Sequence, residues 1–187
     1  MTTQIRDRLI FNGEEYFLNK SLLERFFGQF PQKRPKIEIS STALWRGFVA
    51  TYEIAESKLF INDVEIFSGT DLDMKSIIDD VCIEREFSWY SGLIRIDDFR
   101  GEFDNLPENG IFEFLEIRDG NFIQKRIYNF TELQNFIEQQ YQLFILTDEA
   151  DIISNLWRKN NPGITDEEIT GYIRECILDY TKYVYVD

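Results

Sequence analysis

Apolar residues recur along this chain in two rhythms, and the change between them divides it. Up to about residue 128, short alternating or β-branched runs are separated by turn signals. Residues 9–11, then Asn12 and Gly13, then residues 14–18 predict a hairpin, because Asn-Gly readily takes the positive φ angles of a type I′ turn. Ser21 with Glu24 has the spacing of a capping box opening a short helix through Phe26 and Phe27, which Gly28 and Pro31 end. Residues 41–54 predict one long strand. Its first face would carry Leu44, Arg46, Phe48, Ala50, Tyr52 and Ile54, its second Trp45, Gly47, Val49 and Thr51. Both faces are largely apolar, so a central strand covered on both sides is expected. A short turn at 55–58 leads to a strand over 59–67 and closes a second hairpin. Thr70 would cap a helix striped by Met74, Ile77, Ile78 and Val81. Strand character returns over 87–96, and Asp119-Gly120 joins runs 111–117 and 121–128 into a third hairpin.

Helical spacing then takes over. Asn129 with Glu132 caps a helix carrying Leu133, Phe136, Ile137, Tyr141 and Phe144. Asp148 would cap a second, striped by Ile152, Ile153, Leu156 and Trp157 and halted at 160–163. Thr165 with Glu168 is a capping box for a third, with Ile169, Tyr172, Ile173, Cys176, Ile177 and Tyr180 in helical spacing. The order of elements predicts an α+β fold: an antiparallel sheet of hairpins in a meander, helices packed on one face, and a helical C-terminal third. A single domain over 1–187 is expected, with 148–187 as a helical subdomain or appendage in the alternative.

Composition adds constraints. With 187 residues and 43% hydrophobic positions, the chain has apolar surface enough to fold without metals or disulfides. It has no histidine, which excludes histidine metal ligands, His-activated nucleophiles and histidine proton shuttles. Cys82 and Cys176 each fall in an apolar helical stripe and are expected as buried, reduced thiols. The first residues lack the apolar run of a signal peptide, and no segment approaches the ~20 apolar residues that span a bilayer. A cytoplasmic location follows as the expectation.

Charge is the strongest bulk signal. There are 34 acidic residues against 20 basic ones, a formal net charge of -14. Such a field opposes nucleic-acid and membrane-surface binding, which cationic side chains drive, and steers a basic protein inward. Solubility alone accounts for an acidic surface equally well.

No glycine-rich phosphate loop or Gly-x-Ser-x-Gly elbow occurs, and no cofactor or metal is expected. Asp97, Asp98, Glu102, Asp104 and Glu108 crowd one predicted loop. Oxygen ligands for a hard cation are one reading, but in so acidic a chain a solvated loop is the heavier one. Arg46, Trp45 and Trp89 could line a pocket for a ligand. The structural alternative pairs Arg46 with an internal acid such as Glu53 or Glu65, or leaves it on an exposed strip, and puts both tryptophans in the core.

The run Thr42-Ala-Leu-Trp-Arg-Gly-Phe-Val-Ala-Thr-Tyr-Glu-Ile54, with Trp89-Tyr-Ser-Gly-Leu-Ile94 and Leu115-Glu-Ile-Arg-Asp-Gly120, resembles small acidic bacterial proteins of the kind found as immunity proteins beside polymorphic toxins. The resemblance covers roughly residues 5–130. It implies a cytosolic antidote that binds a toxin domain directly. Charge and resemblance together make a basic toxin or effector domain the expected partner, met by Asp97, Asp98, Glu102, Asp104, Glu149 and Asp151. A carboxylate- or metal-dependent enzyme and an accessory ligand-binding domain stay open as alternatives.

Overall fold

In the computed structural model, which describes residues 4–34, 43–44, 46–66, 85–97 and 106–179, the strands form one sheet in which two hairpins meet at their turns. The first hairpin joins β1 (Asp7–Phe11) to β2 (Glu14–Leu18), with Asn12 and Gly13 at φ 53° and 81° as the turn chemistry requires. The chain crosses through α1 (Leu22–Gln29) and enters β3 (Phe48–Ala55) parallel to β1, Arg8 lying opposite Thr51. β3 turns at Glu56 and Ser57 into β4 (Lys58–Ile66). After β5 (Gly92–Arg95), the Asp119-Gly120 turn links β6 (Ile111–Arg118) to β7 (Asn121–Asn129). The α+β class stands, with seven strands among the described residues in the order β2-β1-β3-β4-β7-β6-β5. Its sheet departs from an antiparallel meander at the parallel β1/β3 pair and at β5, which lies on the outer edge.

The long strand expected over 41–54 starts only at Phe48: Gly47 has φ 73° and Arg46 sits in the turn before it, not mid-strand. The strand expected over 87–96 shrinks to β5. Residues 87–90 instead form a turn whose backbone locks the two hairpins together. Phe87 N–H donates to Leu59 O at 2.8 Å and Gly120 N–H to Tyr90 O at 2.8 Å. Leu59 N–H reaches Gly120 O at 2.7 Å, beside the one registered β4/β7 pair, Lys58 with Asn121.

Two apolar cores result. The first gathers Leu9, Phe48 and Tyr52 from the sheet with Leu23, Phe26 and Phe27 of α1 and Phe87 of the locking turn. The second gathers Leu93, Phe112 and Phe114 with α2 (Phe130–Phe144) and α4 (Asp166–Cys176). Neighbouring residues of a strand point to opposite faces. Ile94 and Leu115 belong to the first core, Leu93 and Phe114 to the second, so β5 and β6 are covered on both sides.

The helical C-terminal third is present. Asn129/Glu132 and Thr165/Glu168 both form complete capping boxes. Between them, α3 (Asp148–Asn160) is capped by Thr147 rather than Asp148: its Oγ1 accepts from Ala150 N–H at 3.3 Å. Cys176 is half-buried in α4 rather than fully enclosed. The helix expected over 71–82 and Cys82 lie outside the described residues.

Candidate functional site

Three polar constellations and one apolar surface are the candidates. The first is built on Asp7, which is fully buried in β1. Its Oδ1 accepts from Ala50 N–H at 3.1 Å and stands 3.3 Å from Arg46 Nη2, which also donates to Ile5 O at 2.7 Å. Arg46 therefore ties the turn before β3 to the N-terminal strand, and its partner is Asp7 rather than Glu53 or Glu65. Burial raises the Asp7 carboxyl pKa above its usual value, against the lowering effect of Arg46, the nearby Ser21 hydroxyl and the Ala50 N–H. Ser21 is close without good hydrogen-bond geometry, and Asp7 Oδ2 has no partner.

The Ser21/Glu24 capping box does not form through the serine side chain. Instead, the hydroxyl of buried Tyr52 accepts the Leu23 N–H at 3.0 Å, satisfying one of the open donors at the start of α1. Burial first, and the nearby Asp7 charge second, push the Tyr52 hydroxyl well above its ordinary pKa. These groups join β1, β3 and α1 in the first core.

The second constellation centres on Glu116 of β6, also fully buried. Its Oε1 accepts from Arg118 Nε at 2.8 Å; its Oε2 accepts from Arg126 Nε at 2.8 Å and Gln124 Nε2 at 3.0 Å. The Arg126 guanidinium lies 5.6 Å from the Phe136 ring centroid of α2, which stacks on Tyr128 at 4.9 Å. Burial works to raise the Glu116 pKa, but the hydrogen bonds from Gln124, Arg126 and Arg118 outweigh it, and the net shift is downward. This network fastens α2 to the face of the β6/β7 hairpin that carries the second core.

The third is Asp97, whose two oxygens take Arg95 Nε at 2.7 Å and Nη2 at 2.8 Å. Its side chain is 8% exposed and also accepts from Glu113 N–H. Asp97 thus staples the end of β5 to β6. Asp98, Glu102, Asp104 and Trp45 lie outside the described residues. Trp89 is half-buried against Phe26 and Phe87, with ring centroids 5.4 and 4.7 Å away, and serves the aromatic core. No group of three or more acidic or cysteine side chains suited to a metal ion occurs among the described residues.

The remaining feature lies at the elbow between α2 and α3. Of the α3 side chains only Ala150 is fully buried. The stripe expected there is wider than the surface that covers it: Ile153 and Trp157 are half-buried, with Trp157 stacked 5.0 Å from Tyr172 of α4. Ile152 and Leu156 remain 66% and 54% exposed, and Leu146, just before the cap, is 82% exposed. Leu143 and Ile145 add apolar surface at the end of α2. Asp148, Glu149 and Asp151 occupy the first turn of α3, where the helix dipole favours acids. Glu149 and Asp151, expected as contacts, both lie in this turn; half-buried Glu149 stands three residues before Ile152 on the same side of the helix, and exposed Asp151 points away from it. Sequence periodicity missed the exposed apolar side chains because it assigned Ile152 and Leu156 to the buried stripe.

No helix among the described residues is long and apolar enough to cross a membrane. No family model, curated protein or solved structure matches this chain.

Proposed function

We propose that this chain is a protein-binding protein of the immunity kind, acting in the cytoplasm by covering a basic toxin or effector domain. The observation that carries the reading is the elbow, where exposed leucines and isoleucines adjoin acids in a stretch with no Lys or Arg from residue 127 to 157. The net charge of -14 supports it, since opposite fields speed encounter and favour basic partners. Further support comes from the buried charges. Asp7 is engaged with Arg46 and Ala50, Glu116 with Arg118, Gln124 and Arg126, and Asp97 with Arg95, so each serves the fold.

The test is capture from the native host across a salt series, followed by an activity assay of whatever is captured. A basic protein should be retained at low salt, released progressively as salt rises, and inhibited by the purified chain. Recovery of nothing basic, or of a partner indifferent to both salt and the inhibition assay, counts against the proposal.

A further inference from the structure

Resting on the protein-binding reading, we infer that the α2–α3 elbow is the docking surface, and that its occupant is an amphipathic, lysine- or arginine-rich segment of a partner protein. Leu146 shows why this surface is not explained by the fold alone. It precedes the Thr147 cap, where an apolar residue ordinarily packs on the fourth helical position. That position here is Asp151, so no staple forms and Leu146 stays 82% exposed. Ile152 and Leu156, four residues apart, form one ridge of α3. Single exposed leucines are common on protein surfaces, but several gathered at one bend mark an interaction site.

Charge selects the occupant. Between Arg126 and Arg158 the chain has no base and carries Glu132, Glu138, Asp148, Glu149 and Asp151; the bases of α3, Lys159 and the Asp166-paired Arg158, lie in its last turn, at the end away from the elbow. Of these acids, Glu132 is used in a capping box and Glu138 pairs with Arg174, while Asp148 and Glu149, four and three residues before Ile152, share its side of α3. A second copy of this chain would bring the same acids against themselves; a cationic amphipathic segment brings apolar side chains to the ridge and opposite charge to its rim. The exposed isoleucines on the sheet, Ile111, Ile123 and Ile127, stand around the Lys125–Glu113 ion pair, so both signs of charge lie among them.

The experiment uses the isotope-labelled full chain and three peptides: an amphipathic Leu/Lys helix, its Leu/Glu counterpart, and a Lys/Ser peptide of equal charge to the first. Amide shifts should concentrate over residues 143–157 with Leu/Lys, and the other two peptides should bind at least about tenfold more weakly. Ile152→Gln and Leu156→Gln together should weaken Leu/Lys binding by about tenfold or more. Glu149→Gln with Asp151→Asn should flatten its salt dependence. Asp151, Ile152 and Leu156 are exposed and Glu149 is half-buried, and an unchanged amide spectrum elsewhere verifies that the variants fold. Shifts mapping elsewhere, equal binding of the Lys/Ser peptide, or no binding would overturn the inference. So would a concentration-dependent dimer in sedimentation that Ile152→Gln and Leu156→Gln abolish. If salt-sensitive partner capture survives those two substitutions, the surface is wrong while the protein-binding reading stands. If Leu/Lys binds at the elbow but the host yields no basic partner, the reading fails and the surface stands.

Discussion

Replacing Glu116 by Gln keeps its shape and removes its charge. The amide has one acceptor oxygen where the carboxylate had two, and its NH2 must face a donor. The least costly arrangement turns the oxygen toward Arg126 and Gln124 and the NH2 toward Arg118, whose side chain is 45% exposed and can swing into water. The Gln124 bond then becomes neutral on both sides and the Arg126 bond loses its anionic acceptor, at about 1 kcal/mol each. The lost Arg118 pair adds up to about 1 kcal/mol. The sum, about 3 kcal/mol, is a large share of an ordinary folding free energy. Urea unfolding followed by circular dichroism should show it at neutral pH as a midpoint lowered by about 1.5 M, for a slope of about 2 kcal/mol/M. The folded-state pKa of Glu116 lies below the usual 4.5, so its contribution is complete above that value and lost as pH falls through the folded pKa. The gap between wild type and Glu116→Gln should therefore close on acidification. Glu138→Gln, which breaks the half-exposed pair with Arg174, should cost under about 1 kcal/mol and serves as the control. A Glu116→Gln cost below about 1 kcal/mol at neutral pH, or a gap indifferent to acid, would refute this account of the network.

Three further expectations are open to the same unfolding assay. Gly120→Ala should cost about 3 kcal/mol or more, because φ is +74° and the new Cβ would meet Ser88 Cα at 2.7 Å; Gly13→Ala, at φ +81° with nothing within 4 Å, should cost only about 1 kcal/mol. Equal costs would show that the lock between the hairpins contributes nothing. Glu56→Asn with Ser57→Gly should stabilise by about 1 kcal/mol, since the native pair holds φ of 50° and 61° in a turn that favours Asn-Gly; no gain would mean that the native side chains compensate. Gln140→Met should raise stability by about 1–2 kcal/mol, because this 2% exposed amide has no hydrogen-bond partner on either atom, and a loss would contradict that.

What the sequence determined by itself is local. Asn12-Gly13 and Asp119-Gly120 specify their turns through the φ angles they tolerate, and Asn129/Glu132 and Thr165/Glu168 specify helix starts through bonds spanning three residues. The α+β class follows from these and from the change of rhythm near residue 128. Glu149 and Asp151 were legible as acids at an exposed helix start. Tertiary structure decided the rest, because it depends on which distant surfaces meet. Asp7, Arg46 and Tyr52 become one cluster only when α1 brings β3 alongside β1, and nothing near Asp7 in the chain encodes that pairing. Glu116 was hidden by a bulge: a regular register from the Asp119-Gly120 turn would put Ile123 opposite it, whereas the irregularity brings Gln124 there instead. At the elbow, helical periodicity marks Ile152, Ile153, Leu156 and Trp157 alike as apolar. Only the width of the surface that α4 presents leaves Ile152 and Leu156 exposed while Trp157 stacks on Tyr172.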